Sequence, residues 1–167
     1  MISVVSTSRA DTLALGGLVA DVLIPGDTVV LTGELGGGKT AFVTGAVQGL
    51  GSEDLVSSPT FAIVQEYFGP VVIAHADWYR IGHAQELFDI GFEELLDGSR
   101  VVFVEWGDRA LEIVPDCYLQ VSFRHRANID ERDITLVGQG PQWQDRIVGL
   151  QRSIRAAEKF LATDATL

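Results

Sequence analysis

The chain has 167 residues, 23 of them acidic and 12 Lys or Arg, for a formal net charge of −11. That length fits one domain with one core, and an apolar share of 47% excludes a disordered chain. The charge excludes a grip on nucleic acid or on a membrane by bulk attraction, and one cysteine, Cys117, excludes an intrachain disulfide or a cysteine-based metal cluster.

Ile2 to Ser6 reads as a short strand, and Ser8 with Asp11 three residues on marks a helix start. Leu13, Leu15, Leu18, Val19 and Val22 give that helix an apolar face, and Pro25-Gly26-Asp27 ends it with turn chemistry. The stretch from Leu13 to Ile24 is broken by Asp21 and lacks a basic leader. It therefore reads as neither a signal peptide nor a membrane span, and a reduced, cytoplasmic protein is the expectation. Thr28-Val29-Val30-Leu31-Thr32 has the length and β-branching of a buried strand. A helix follows from about Lys39 to Leu50, with Phe42, Val43, Ala46, Val47 and Leu50 on one face.

Gly51 to Pro59 reads as a loop, and Phe61 to Tyr67 and Val71 to His75 flank Phe68-Gly69-Pro70 as a hairpin. Residues 83–97 read as short helical pieces around Gly91, and Val101 to Val104 as a second buried strand ending at Glu105. Cys117, Leu119, Val121 and Phe123 alternate with Tyr118, Gln120, Ser122 and Arg124, the pattern of a strand with one wet face, and Ile134 and Leu136 return as its partner. Trp143, Ile147, Leu150, Ile154, Ala157 and Leu161 repeat at helical spacing and are expected to pack on the sheet. The whole chain, 1–167, thus reads as one three-layer α/β domain with a mixed parallel and antiparallel sheet, and 139–167 as its C-terminal helical extension.

Gly33-Glu34-Leu35-Gly36-Gly37-Gly38-Lys39-Thr40 fits G-x-x-x-x-G-K-[ST] between a strand and a helix, which makes the fold P-loop NTPase-like. Its glycines let backbone N–H groups curl around phosphate, the helix start adds open donors, Lys39 reaches the β- and γ-phosphates, and the Thr40 hydroxyl can ligate Mg²⁺. Only Lys39 and Lys159 are lysines, so a lysine at this place is not background. Glu105 ends an apolar strand in the Walker B form; an ordinary strand-end acid would look the same. Asp77 fits either an acid that positions the attacking water or a helix cap. Thr60, in Ser57-Ser58-Pro59-Thr60, stands where a hydroxyl could reach metal or γ-phosphate, or where a loop simply joins a strand. Trp106 could cover a nucleotide or pack at the sheet edge. His75 is read as a packing residue. No Asn/Thr-Lys-x-Asp or Asp-x-x-Gly motif is present, so ATP is expected rather than GTP.

The P-loop, then Ser58-Pro59-Thr60-Phe61, His75-Ala76-Asp77-Trp78-Tyr79-Arg80 and Glu105-Trp106 occur in this order, a set that resembles the bacterial TsaE (YjeE) family from about Thr12 to Pro115. The resemblance implies a small ATPase using ATP and Mg²⁺. It would work with TsaD and TsaB in forming N6-threonylcarbamoyladenosine at position 37 of tRNAs that read ANN codons, without being the transferase. It implies that Glu34, Leu35, Gly36, Gly37, Gly38, Lys39 and Thr40 hold the nucleotide, with Thr60 and Trp106 at the site and Thr12 near the adenine. Thr40 and Glu105 would be the Mg²⁺ ligands, and Asp77, Lys39 and Glu105 the catalytic residues. Ala41 stands where many members have a second Thr. A small-molecule phosphotransferase and a non-catalytic nucleotide-dependent regulator are the alternatives. The former fits poorly, because residues 76–115 offer only three arginines among nine acids as a lid.

The excess acid lies in the first two thirds, while residues 116–167 carry seven bases and seven acids. Any tRNA contact is therefore expected to be indirect, through partners. Arg124, Arg126 and Arg132, close in sequence, are the expected place for contact with tRNA or an acidic partner.

Overall fold

The computed structural model describes residues 1–157; Leu161, at the end of the expected apolar stripe, and the rest of 158–167 lie outside the described residues. The strands that read as unbroken apolar runs are the ones covered on both faces. These are β2 (Thr28–Gly33) and β5 (Val101–Glu105), which pair in parallel. On their outer sides lie two further parallel neighbours, β4 (Ile73–Asp77) beside β5 and β6 (Tyr118–His125) beside β2. Antiparallel strands finish each edge, β3 (Val64–Tyr67) on β4 at one side, β7 (Arg132–Gln139) and then β1 (Ile2–Ser6) beyond β6 at the other. The sheet order is β1-β7-β6-β2-β5-β4-β3, the mixed sheet expected from the sequence.

Side-chain alternation divides the core into two. Val29, Leu31, Val101, Phe103, Ile73 and Ile134 face a layer of three helices, α1 (Arg9–Ala20), α2 (Lys39–Gly49) and α4 (Gln144–Ala156). Ala74, Ala76, Val102 and Val104 face the other layer, where Trp78, Ile81, Leu87 and Phe92 pack. That second layer is thin: α3 (Ala84–Asp89) has six residues and a 3-10 turn at Phe92–Leu96 follows after Gly91, whose φ is 70°.

The expected hairpin forms with shifted strands. Its first strand begins at Val64 rather than Phe61, because the Ile63 N–H donates to the Pro59 carbonyl (2.7 Å) and closes a turn in which Ile63 has φ 66°. Its second strand runs on to Asp77, whose N–H donates to the Ile63 carbonyl at 2.9 Å. Asp77 is therefore part of the strand and not the residue after it.

Two contacts fix the helices. Where α1 crosses α2, each backbone approaches a glycine of the other. A Cβ on Gly45 would stand 1.9 Å from the Leu13 carbonyl oxygen, and one on Gly16 would stand 2.1 Å from that of Phe42. In α4, Arg146 donates to the Asp27 carboxylate and the Val22 carbonyl while its guanidinium lies 3.9 Å from the Trp143 ring centre. Trp143, Leu150 and Ile154 are buried in the core, so the last apolar stripe packs on the chain's own sheet as expected.

Gly45→Ala separates packing from propensity. Helix propensity alone would add about 1 kcal/mol of stability. The contact with Leu13 should instead remove about 1–3 kcal/mol, read as a lower urea midpoint.

Candidate functional site

The loop between β2 and α2 is shaped by Gly36 (φ 74°) and Gly38 (φ 105°), conformations that a side chain disfavours. Gly38 caps α2 without a side-chain acceptor, so the first-turn N–H groups stay open. Lys39 closes the loop on itself: its Nζ donates to the carbonyls of Gly33 (2.7 Å) and Glu34 (2.9 Å) and stands 4.0 Å from the Trp106 ring centre. Burial lowers the Lys39 pKa from the ordinary lysine value, and the charges of Glu105, Asp77 and Asp108 pull it back up. Trp106 adopts φ 60°, one of two positive values found at non-glycine residues among the described residues; the other is Ile63. The Trp106 N–H donates to the Leu31 carbonyl at 2.8 Å, which holds this turn and keeps the indole over Lys39.

Two acids stand side by side. Asp77 and Glu105 are register partners on β4 and β5, and Glu105 is in turn partnered by Leu31 on the P-loop strand. By alternation both carboxylates fall on the α2 face. The Thr40 hydroxyl donates to Glu105 Oε1 at 2.8 Å. His75, fully buried, has Nε2 2.9 Å from the same oxygen. Asp77 accepts three bonds: Oδ2 from the hydroxyls of Ser58 (3.0 Å) and Thr60 (2.6 Å), Oδ1 from the Tyr79 N–H (2.8 Å).

Lys39, Thr40, Asp77 and Glu105 line a cavity of about 470 Å³ with the loop glycines Gly36, Gly37 and Gly38 and with Trp106, while His75 lies behind its wall. Thr12 is in the wall, with its methyl carbon 3.4 Å from where a Gly38 Cβ would be. Its hydroxyl is paired with Ser6 (2.7 Å) rather than free for a ligand. Glu34 does not line the cavity; its carbonyl holds Lys39.

The three arginines expected to act together are divided. Arg124 is the register partner of Asp133 and shares its face. Arg126 lies 3.7 Å from Glu131 and 3.6 Å from Asp133. Arg132 has the alternation of Ile134 and Leu136 and so comes up on the helix side, beside Gly38 in the cavity wall. There its Nε is buried with no partner among the described residues. The alternation that marks Ile134 and Leu136 as core could have separated Arg132 from Arg124 in the sequence. Arg9, also in the wall, carries no such signal. His75 was legible only as an apolar-strand residue, and the acid it meets is 30 residues away.

The family model for threonylcarbamoyl adenosine biosynthesis protein TsaE matches residues 6–134. A tRNA threonylcarbamoyladenosine biosynthesis protein TsaE from Treponema pallidum is 39% identical over 132 residues, covering 79% of this chain and 97% of that one. A TsaE from Bacillus subtilis is 39% identical over 80% of this chain and 84% of its own. A crystal structure of YdiB from Bacillus subtilis superposes with a TM-score of 0.79 at 31% identity, covering 92% of this chain and 98% of that chain.

The contact of Lys39 with Trp106 gives the site an optical reporter, because the other tryptophans, Trp78 and Trp143, are buried in the two cores. ATP that draws Lys39 onto its phosphates should change the intrinsic fluorescence, and Trp106→Phe should abolish that change while Trp78 and Trp143 still emit. A response of unchanged amplitude in Trp106→Phe would place the nucleotide elsewhere.

Proposed function

The chain belongs to the TsaE family, and from that premise we propose that it binds and hydrolyses ATP with Mg²⁺ in support of N6-threonylcarbamoyladenosine formation at position 37 of tRNAs that read ANN codons. The observation that carries this reading is the 2.8 Å bond between the Thr40 hydroxyl and Glu105 at the foot of a P-loop whose lysine heads the same cavity. A hydroxyl and a carboxylate are hard oxygen donors of the kind Mg²⁺ takes alongside phosphate oxygens. When bound, the ion would offset charge on the β- and γ-phosphates and polarise the group being transferred.

The chain's own residues do the rest. The open N–H groups at the start of α2 receive phosphate oxygens. Lys39 exchanges two neutral carbonyls for charged oxygens, which make stronger bonds. Arg132 offers the nucleotide a guanidinium whose Nε has no protein acceptor among the described residues. Asp77 positions the attacking water. With three donors already on its carboxylate, it is only partly available for that in the free chain. Release of Ser58 or Thr60 would free an Asp77 lone pair, and a partner that draws on this loop would raise the rate. We assign that part to TsaD and TsaB in the cytoplasm, with the transfer to tRNA carried out by the partners.

The three bonds already on Asp77 also favour a second reading, a non-catalytic switch that binds ATP and alters partner affinity without splitting it. Phosphate release decides between them. It should rise above the sum of the separate rates when purified TsaB and TsaD are added together. If ATP stays intact through repeated partner cycles, the switch reading replaces the ATPase.

Lys39→Ala should weaken ATP binding about tenfold or more, the loss of a charge-assisted contact of roughly 1.5–3 kcal/mol, measured by calorimetry. Asp77→Ala should keep ATP affinity and lose phosphate release. Unchanged affinity in the first variant would remove the P-loop assignment. Lost affinity in the second would make Asp77 a binding or structural residue.

A further inference from the structure

Glu105 does not stand in the site unsupported. Its Oε1 lies between the Thr40 hydroxyl at 2.8 Å and His75 Nε2 at 2.9 Å, and both bonds fall on that one oxygen. A carboxylate only accepts, so Nε2 carries the hydrogen of the second bond. His75 has no solvent exposure, and its ring is held from behind. The Tyr67 hydroxyl stands 3.3 Å from Nδ1 and 3.1 Å from the Ser57 carbonyl. A buried imidazole between Ala74 and Ala76 is costly unless its nitrogens are paired; Nε2 is paired with Glu105, and Nδ1 lies within reach of the single Tyr67 hydrogen, for which the Ser57 carbonyl competes.

We propose that His75 is a positioning residue for the metal site: it fixes the rotamer of Glu105 so that Oε1 stays with Thr40 and Oε2 is left for the cation. The inference rests on the reading of Glu105 as the acid that holds Mg²⁺. The geometry supplies the reason a second donor is needed. A threonine hydroxyl that ligates a cation gives up a lone pair and keeps its hydrogen for Glu105, but it is then fixed by the cation and cannot by itself orient the carboxylate. His75 is anchored to the sheet and to Tyr67, independent of any ligand, and so holds Glu105 before the cation arrives.

The test compares the affinity for ADP in EDTA with the affinity across a Mg²⁺ titration, by calorimetry on the full chain. This readout needs no turnover. His75→Leu, close in volume but without donors, should leave ADP affinity in EDTA unchanged. It should raise the Mg²⁺ concentration at half-effect by about tenfold or more, the usual consequence of removing a group that orients a metal ligand. His75→Gln, which can return an N–H to Glu105, should recover most of the difference. Tyr67→Phe keeps the ring and deletes only the hydroxyl, and should shift the Mg²⁺ midpoint in the same direction by a smaller factor. It carries the test if His75→Leu does not fold. Glu105→Gln is the control. If it leaves the Mg²⁺ midpoint unmoved, the metal reading of Glu105 fails and takes the inference with it. If it moves the midpoint while the folded His75 and Tyr67 variants keep the native value, the positioning role alone is overturned. An equal loss of ADP affinity in EDTA and in Mg²⁺ for His75→Leu would likewise overturn it, by showing a general structural effect.

Discussion

The register of three parallel strands governs everything the site contains. Leu31 of β2 stands opposite Glu105 of β5, and Glu105 stands opposite Asp77 of β4. Because neighbouring strands pair residue by residue and side chains alternate, both acids end on the same face of the sheet as α2. A slip of one residue in either pairing would move a carboxylate into the apolar layer around Trp78 and Phe92, where nothing is placed to receive it. The fully buried runs Val29-Val30-Leu31 and Val101–Val104 hold that register, since any shift would also expose core side chains. The site is a consequence of the sheet.

A chain with a net charge of −11 that places two of its acids side by side next to the Gly33–Thr40 loop sets itself an electrostatic problem. The answer is local. Glu105 accepts hydrogen bonds from Thr40 and His75, Asp77 from Ser58, Thr60 and the Tyr79 N–H, and both acids in turn favour the charged form of Lys39 against the burial that opposes it. The open backbone donors at Gly38 and Arg132 line the same cavity, Arg132 with one guanidinium N–H on the Asp130 carbonyl and its Nε without a partner among the described residues. Global charge therefore says little about which ions this pocket accepts.

Much of this was legible in the sequence, for a physical reason. The P-loop demands glycines and a lysine at fixed offsets, and the buried strands demand apolar runs that end abruptly in an acid, so Lys39, Thr40, Asp77 and Glu105 stand out one by one. What stayed hidden depends on distant parts of the chain. That Gly16 and Gly45 are contact points between helices shows only when α1 lies on α2. His75 looked like packing because its partner belongs to another strand. Arg132 was grouped with Arg124 by proximity, whereas strand alternation turns the two to opposite faces. The hairpin boundaries shifted because the Ile63 turn is set by a backbone bond to Pro59, and its positive φ is not what an isoleucine suggests.

In the free chain the central polar groups of the cavity already hold bonds. Lys39 is bonded to Gly33 and Glu34, Thr40 to Glu105, and Asp77 to three donors. Hydrogen bonds to charged groups contribute roughly 1.5–3 kcal/mol each, so a ligand must replace them and cannot merely add to them. A charged oxygen is a stronger acceptor for Lys39 than the two neutral carbonyls it holds. No comparable exchange awaits Asp77, because a water would offer it the same neutral O–H donor that Ser58 and Thr60 already supply. Lys39 is thus open to exchange for a charged oxygen, while Asp77 stays tied to the Ser58–Thr60 loop by donors that a neutral ligand does not improve on.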